Sequence, residues 1–166
     1  MDSTKQLSIF LVDDDPMFVK TLEHQIEQKF DASISKFSTG EECLKNLHHN
    51  PGIVVLDYFL NSTSPDAMNG IRVLEKIKLD APETNVIILS AQDKMNVAIN
   101  AIKYGALDYI IKNENAFLRT QNAIKNAIDR ISLANELKND RFKIKLFIGC
   151  ILIVAALVLI INKWFA

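Results

Sequence analysis

The chain has 166 residues, 49% hydrophobic and 23% charged, and a formal net charge of −1 from 19 basic and 20 acidic side chains. That length accommodates one well-packed domain with an appendage, and that composition argues against a disordered or fibrous chain. No long basic run occurs before residue 130, so nucleic acid is not an expected partner; two distant cysteines, Cys43 and Cys150, make no disulfide framework and fit a reducing compartment.

The N-terminal MDSTKQLSIFLVDDD lacks a basic region followed by a long apolar stretch and a cleavage site, so no signal peptide is expected. Leu7 to Val12 is a short apolar run suited to a strand buried on both faces. Pro16 then stands near a helix start, where its missing N–H is harmless, and Phe18, Leu22, Ile26 and Phe30 recur every four residues. Ala32 to Phe37 alternates apolar and polar residues as a more exposed strand, and Ser38 or Thr39 can cap a helix whose inner face is Cys43, Leu44 and Leu47. Ile53 to Leu56 is a purely apolar third strand with Asp57 at its carboxyl end. After a loop rich in turn formers, Asn61 to Pro65, the spacing of Ile71, Leu74 and Ile77 predicts a helix from about Asn69 to Leu79. Val86 to Leu89 forms a fourth strand ending at Ser90. The helix after it would bury Ala98, Ile99 and Ile102 and stop at Gly105. Asp108 to Ile111, closed by Lys112, is the fifth strand, and a last helical pattern with Phe117, Ile124, Ile128 and Ile131 starts near Asn115. Strands alternating with helices indicate an α/β domain with a parallel sheet over residues 6–130.

From 131 to 145 the last helix becomes a charged stalk, and Leu146 to Ile161 is sixteen residues whose only polar side chain is the Cys150 thiol. Twelve of them are Leu, Ile, Val or Phe; at a few tenths of a kcal/mol each, membrane insertion would gain on the order of 4 to 7 kcal/mol. A transmembrane helix over 146–164 is therefore expected, its short length completed by Lys145, Lys163 and Trp164 at the interfaces. Lys138, Arg141, Lys143 and Lys145 precede the span and only Lys163 follows it, which places the N-terminal side in the cytoplasm, as for a single-pass inner-membrane protein. No GxxxG pair occurs and Gly149 stands alone, so homodimer formation through stalk and span is left open.

Polar residues collect at the strand ends: Asp13 and Asp14 after the first, Asp57 after the third, Ser90 after the fourth and Lys112 after the fifth. In open α/β sheets ligands bind outside these carboxyl ends. Crowded carboxylates repel each other, by about 4 kcal/mol per pair at 4 Å and an effective dielectric near 20, so such a cluster gains from a cation. With this motif set the sequence resembles the receiver domain of two-component response regulators over about residues 6 to 130. The resemblance implies a doubly wound, flavodoxin-like five-stranded parallel sheet of order 2-1-3-4-5. It implies Mg²⁺ held by Asp14, Asp57 and the carbonyl of Phe59, with Asp13 acting mainly through a metal-bound water. Asp57 would accept a phosphoryl group from a histidine kinase or a histidine phosphotransfer protein, Ser90 and Lys112 would assist, and Ser90 with Tyr109 would form the switch. Asp15 instead begins the first helix, where its charge meets the helix dipole favourably. Such a chain is a phosphoacceptor that assists its own phosphorylation and dephosphorylation, not an enzyme.

Departures from the family lie beside the acceptor. Twelve residues separate Asp57 from Gly70, more than is usual there; Phe59 is bulky, Gln92 is its expected neighbour across the site mouth, and Asn113 follows Lys112 where proline is common. His24, His48 and His49 read as surface residues. Two alternatives remain: a receiver-like membrane scaffold that is not phosphorylated, and a phosphohydrolase of the haloacid dehalogenase type, since Asp13 and Asp15 form D-x-D after the first strand.

Overall fold

The structure, a computed structural model, describes residues 6–60 and 68–165, and from 152 onward the backbone alone. Five strands, β1 (Leu7–Val12), β2 (Ala32–Phe37), β3 (Ile53–Asp57), β4 (Asn85–Ser90) and β5 (Asp108–Ile111), make one parallel sheet in the order β2-β1-β3-β4-β5. The expected sheet and order are thus present. Strands β1, β3 and β4 are apolar on both faces because helices cover both. On one side Phe10, Val12, Val54, Leu56, Val86 and Ile88 pack with Cys43, Val73, Leu74, Ile77 and Ala101 of the covering helices. The alternate residues Ile9, Leu11, Val55, Ile87, Leu89 and Ile110 are equally buried and, by the two-residue period of a strand, face the opposite side.

Helix α1 (Pro16–Glu27) starts as its sequence dictates: Asp15 caps it by accepting from the Met17 and Phe18 amides, and Pro16 occupies the first turn. Its buried residues are Val19, Leu22 and Ile26, so the inner stripe runs through Val19, while Phe18 and Phe30 are only half-buried. Helix α2 (Gly40–Lys45) is capped by Thr39, which accepts from the Glu42 amide, while the Glu42 carboxylate accepts from both amide and hydroxyl of Ser38. A 3₁₀ turn, Leu47–His49, and left-handed Asn50 (φ 53°) end that segment. Helix α3 (Gly70–Asp80) is capped by Asn69 and buries Val73, Leu74 and Ile77, with Ile71 at the margin. The loop residues Asn61 to Pro65 lie outside the described residues.

Helix α4 (Met95–Lys103) differs from expectation. Ala101 is its buried residue, whereas Ile99 and Ile102 are more than half exposed, as are Met95 and, nearly so, Tyr104. Helical phase is set by the largest apolar stripe only when that stripe meets the sheet; here the small Ala101 seats the helix close to β5 and the large residues point out. Neither Ser90 nor Asp93 caps this helix, whose N-cap position is held by Lys94 without a side-chain bond. Its end matches the sequence: Gly105 at φ 92° lets its own amide and that of Ala106 reach the Ile102 and Ala101 carbonyls.

Helix α5 (Ala116–Phe165) belongs to two compact units, residues 1–127 and 128–166. In the first, Ala116, Thr120, Ala123, Ile124 and Ala127 are buried, and Gln121 donates to the carbonyl of Gln25 on α1. In the second the backbone stays helical through the expected span. Among the described residues, however, no helix is long and apolar enough to cross a membrane, and most of 146–164 lies outside those described with side chains.

Candidate functional site

Ladder bonds carry the strand tips to one edge. Asp13 donates its amide to the Phe37 carbonyl (3.1 Å), Tyr58 to Leu89 (2.8 Å) and Lys112 to Ser90 (2.7 Å), so each residue just beyond a strand is fixed by its neighbour. Asp57 is the last residue of β3 and Ser90 the last of β4. As a result Asp13, Asp14 and Asp57, spread over more than forty positions of sequence, offer carboxylate oxygens that all lie within 4.8 Å of one another. Asp13 and Asp57 are buried and Asp14 is partly exposed.

Lys112 is the cation of this cluster. Its Nζ donates to Asp13 Oδ2 at 2.7 Å and lies 3.2 Å from Asp57 Oδ1. The second approach is an ion pair by distance only: Asp57 Oδ1 is buried and makes no aligned hydrogen bond. The ammonium also sits over the Phe18 ring, 4.6 Å from its centroid, and that ring stacks on Phe117 at 5.2 Å. Burial pulls the Lys112 pKa down, but the bond to Asp13 and the charges of Asp57 and Asp13 outweigh it, so the ammonium is held charged.

Asp57 is displaced the other way. Burial pushes its carboxyl from an ordinary 3.8 up to about 6; the Lys112 charge opposes this, the Asp13 charge adds to it, and the Phe59 amide lowers it slightly. One ammonium against three carboxylates leaves uncompensated negative charge, and the donor set is entirely oxygen. A small hard divalent cation fits that set, and Asp57 Oδ1, which has an ion pair but no aligned hydrogen bond, is free to take part. Phe59, two residues past Asp57, is partly exposed and packs edge-on against Tyr58 at 4.6 Å.

A second polar group joins Ser90 to Tyr109. The fully buried Ser90 hydroxyl accepts from the Gln92 amide (3.1 Å) and donates to the Gln92 carbonyl (3.3 Å), and the Tyr109 hydroxyl donates to that same carbonyl at 2.8 Å. Gln92 thus links the two by its backbone. Its side-chain oxygen is buried without a partner.

Gly70 closes the site from behind. A Cβ at this position would stand 2.6 Å from the Asp57 carbonyl oxygen and 2.7 Å from Tyr58 Cα, and its amide donates to the Tyr58 carbonyl at 3.0 Å. Only glycine lets α3 approach the backbone that carries Asp57. A groove of about 660 Å³ between the start of α1, the end of β2 and α2 reaches Asp13 and Asp14 but is not lined by Asp57, Ser90 or Lys112. His24, His48 and His49 are exposed and away from the cluster. The Cys43 thiol, pushed up to about 12 by burial, is inert core.

The sequence places Asp13, Asp14, Asp57, Ser90 and Lys112 at strand tips. It does not show the direct Asp13–Lys112 bond, nor Phe18 as the floor beneath the ammonium, because neither follows from spacing along one element.

A family profile described as response regulator receiver domain matches residues 9–123. The acid tolerance regulatory protein ActR of Rhizobium meliloti is 32% identical over 109 residues, covering 66% of this chain and 54% of that protein. The crystal structure of the signal receiver domain of a LuxO repressor protein from Vibrio parahaemolyticus superposes with a TM-score of 0.70 at 26% identity, over 80% of this chain and 97% of that one. The response regulator DrrB from Thermotoga maritima gives 0.65 at 28% identity, over 75% of this chain and 54% of that one. This chain spans between 22% and 54% of the length of three curated relatives it matches.

Proposed function

Because the chain belongs to the response regulator receiver domain family, we propose that Asp57 accepts a phosphoryl group from a phosphohistidine of a histidine kinase or histidine phosphotransfer protein, at a cytoplasmic membrane face. An Asp57 oxygen attacks phosphorus, the P–O bond forms as the P–N bond breaks, and the histidine ring leaves with the bond's electron pair and takes up a proton. Phosphoryl transfer needs positioning and neutralisation more than covalent help. Lys112, kept charged between Asp13 and Asp57 and rigid over Phe18, supplies a fixed positive charge beside the incoming group. Receiver domains bind Mg²⁺ through an acidic pocket; here Asp13, Asp14, Asp57 and the Phe59 carbonyl would hold it, and it would add divalent neutralisation of the phosphoryl oxygens. The observation that supports this reading most is the buried Asp57 carboxylate, whose Oδ1 has the Lys112 ammonium at 3.2 Å but no aligned hydrogen bond, inside a three-carboxylate cluster with one lysine.

Phosphorylation would draw the Ser90 hydroxyl away from Gln92, leaving the Gln92 carbonyl to Tyr109 alone and biasing the surface of α4 and β5 toward a partner. The exposed Met95, Ile99 and Ile102 on α4 are suited to meet one. Residues 131–145 serve as stalk and 146–164 as a single-pass inner-membrane anchor, a reading supported by the apolar sequence of that segment and the basic residues before it. The phosphohydrolase alternative needs Asp15 beside Asp13 at one ion, whereas Asp15 is engaged as the cap of α1.

Incubation with acetyl phosphate and Mg²⁺ tests the assignment. Wild type should become phosphorylated, and the signal should vanish in Asp57→Asn and with EDTA. Undiminished labelling of Asp57→Asn would overturn it, and Asp57→Asn with intact biological activity would favour the scaffold alternative.

A further inference from the structure

The second unit of the chain, residues 128–166, carries an apolar seam on α5 that nothing in its own unit covers. Leu133, Leu137, Ile144, Phe147 and Ile151 are each more than half exposed. With Asp140 they recur at steps of four, three, four, three and four residues, the spacing of alternating a and d positions in a coiled coil. On the stalk before the proposed span, Leu133, Leu137 and Ile144 on a lone water-exposed helix lose the burial that an amphipathic helix normally obtains, and Phe147 and Ile151 continue the same spacing into the span.

The geometry points to a second copy of this chain as the occupant: two α5 helices pair in parallel and in register along this seam. Charge complementarity supports it. With Leu137 and Ile144 at a, Glu136 falls at g and Arg141 at the following e. These positions are five residues apart, too far round one helix to pair with each other, but they face each other across a parallel two-stranded coil, twice per dimer. An antiparallel pair would set Glu136 against Lys143 instead. The choice of parallel rests on the membrane anchoring proposed above, since two helices that enter one bilayer in the same sense cannot run in opposite directions just before it.

Asp140 occupies a d position and is the one polar residue of the described seam. It lies 3.7 Å from Lys143 within its own helix, with Arg141 adjacent, so cations flank its charge. A single polar core position weakens such a pair while fixing its register. The pair would bring two receiver domains together at the membrane.

Disulfide crosslinking of the full chain in membranes of expressing cells tests this, in a Cys150→Ser background. Leu133→Cys and Ile144→Cys should each give a crosslinked dimer on oxidation, whereas Asn135→Cys and Asn139→Cys, on the outer face, should lose that band, because Cα atoms more than about 7 Å apart cannot be bridged. Adding Asp140→Leu should raise the Leu133→Cys yield. Equal yields at all four positions, no dimer at any, a dimer only when Leu133→Cys and Ile144→Cys chains are co-expressed, or no gain from Asp140→Leu would overturn the proposal. Carbonate extraction of the same membranes reads anchoring separately: release of the chain with its crosslink pattern intact rejects the anchor and keeps the pairing, and retention without crosslinks does the reverse.

Discussion

Asp57 is ionised in a place that opposes its charge, and that opposition is measurable. Its folded pKa of about 6 lies above the ordinary 3.8, so the protonated acid favours the fold: the contribution is full below about pH 4 and lost as pH rises through about 6. Asp57→Asn keeps the shape without the charge. It should stabilise the metal-free protein at pH 7 by roughly 1–3 kcal/mol, the order of a two-unit shift, and flatten the fall in stability between those pH values in urea unfolding with EDTA present. Mg²⁺ should stabilise wild type more than this variant. The neighbouring aspartates divide into separate tasks. Asp15→Ala removes the acceptor for two amides of α1 and should cost about 1 kcal/mol of stability while phosphorylation by acetyl phosphate persists. Asp14→Ala should leave stability nearly unchanged and abolish the stabilisation by Mg²⁺ together with the labelling.

At the scale of elements, α3 and α4 set opposite demands. Helix α3 meets the Asp57 backbone through Gly70, and Gly70→Ala must displace either that backbone or the helix. It should destabilise by about 1–3 kcal/mol, as overpacking does, and slow phosphorylation; unchanged labelling kinetics would show that the approach of α3 does not position Asp57. On α4, Ala101→Leu should cost a similar 1–3 kcal/mol, whereas Ile99→Ser should stay within about 0.5 kcal/mol, because Ile99 faces water. Both are read by thermal unfolding. That contrast marks where the sequence was legible. Residues 9–12, 53–56 and 86–89 are unbroken apolar runs and the site aspartates, Ser90 and Lys112 stand at strand ends, so the sheet and the polar edge follow from period and punctuation. On α4 a stripe of large apolar residues reads as core when the buried position is alanine, since size alone does not tell a covered face from one kept open for a partner. Phe18 and the shared Gln92 carbonyl were hidden for another reason: they act through contacts between elements distant in sequence.

At the scale of the molecule, one sheet edge gathers three carboxylates, an ammonium and a hydroxyl, and the last helix of the sequence continues into a long apolar stretch. The first arrangement is the one proposed to accept a phosphoryl group; the second would hold that acceptor, in pairs, at a membrane. Both receiver and phosphohydrolase readings use a carboxylate and a divalent ion, and they part on which carboxylate bonds to phosphorus. The measurement that separates them is to treat the protein with acetyl phosphate and Mg²⁺, reduce the acyl phosphate with borohydride and locate the resulting homoserine by tandem mass spectrometry. The account predicts homoserine at position 57 alone; homoserine at position 13, or at neither position, would contradict it.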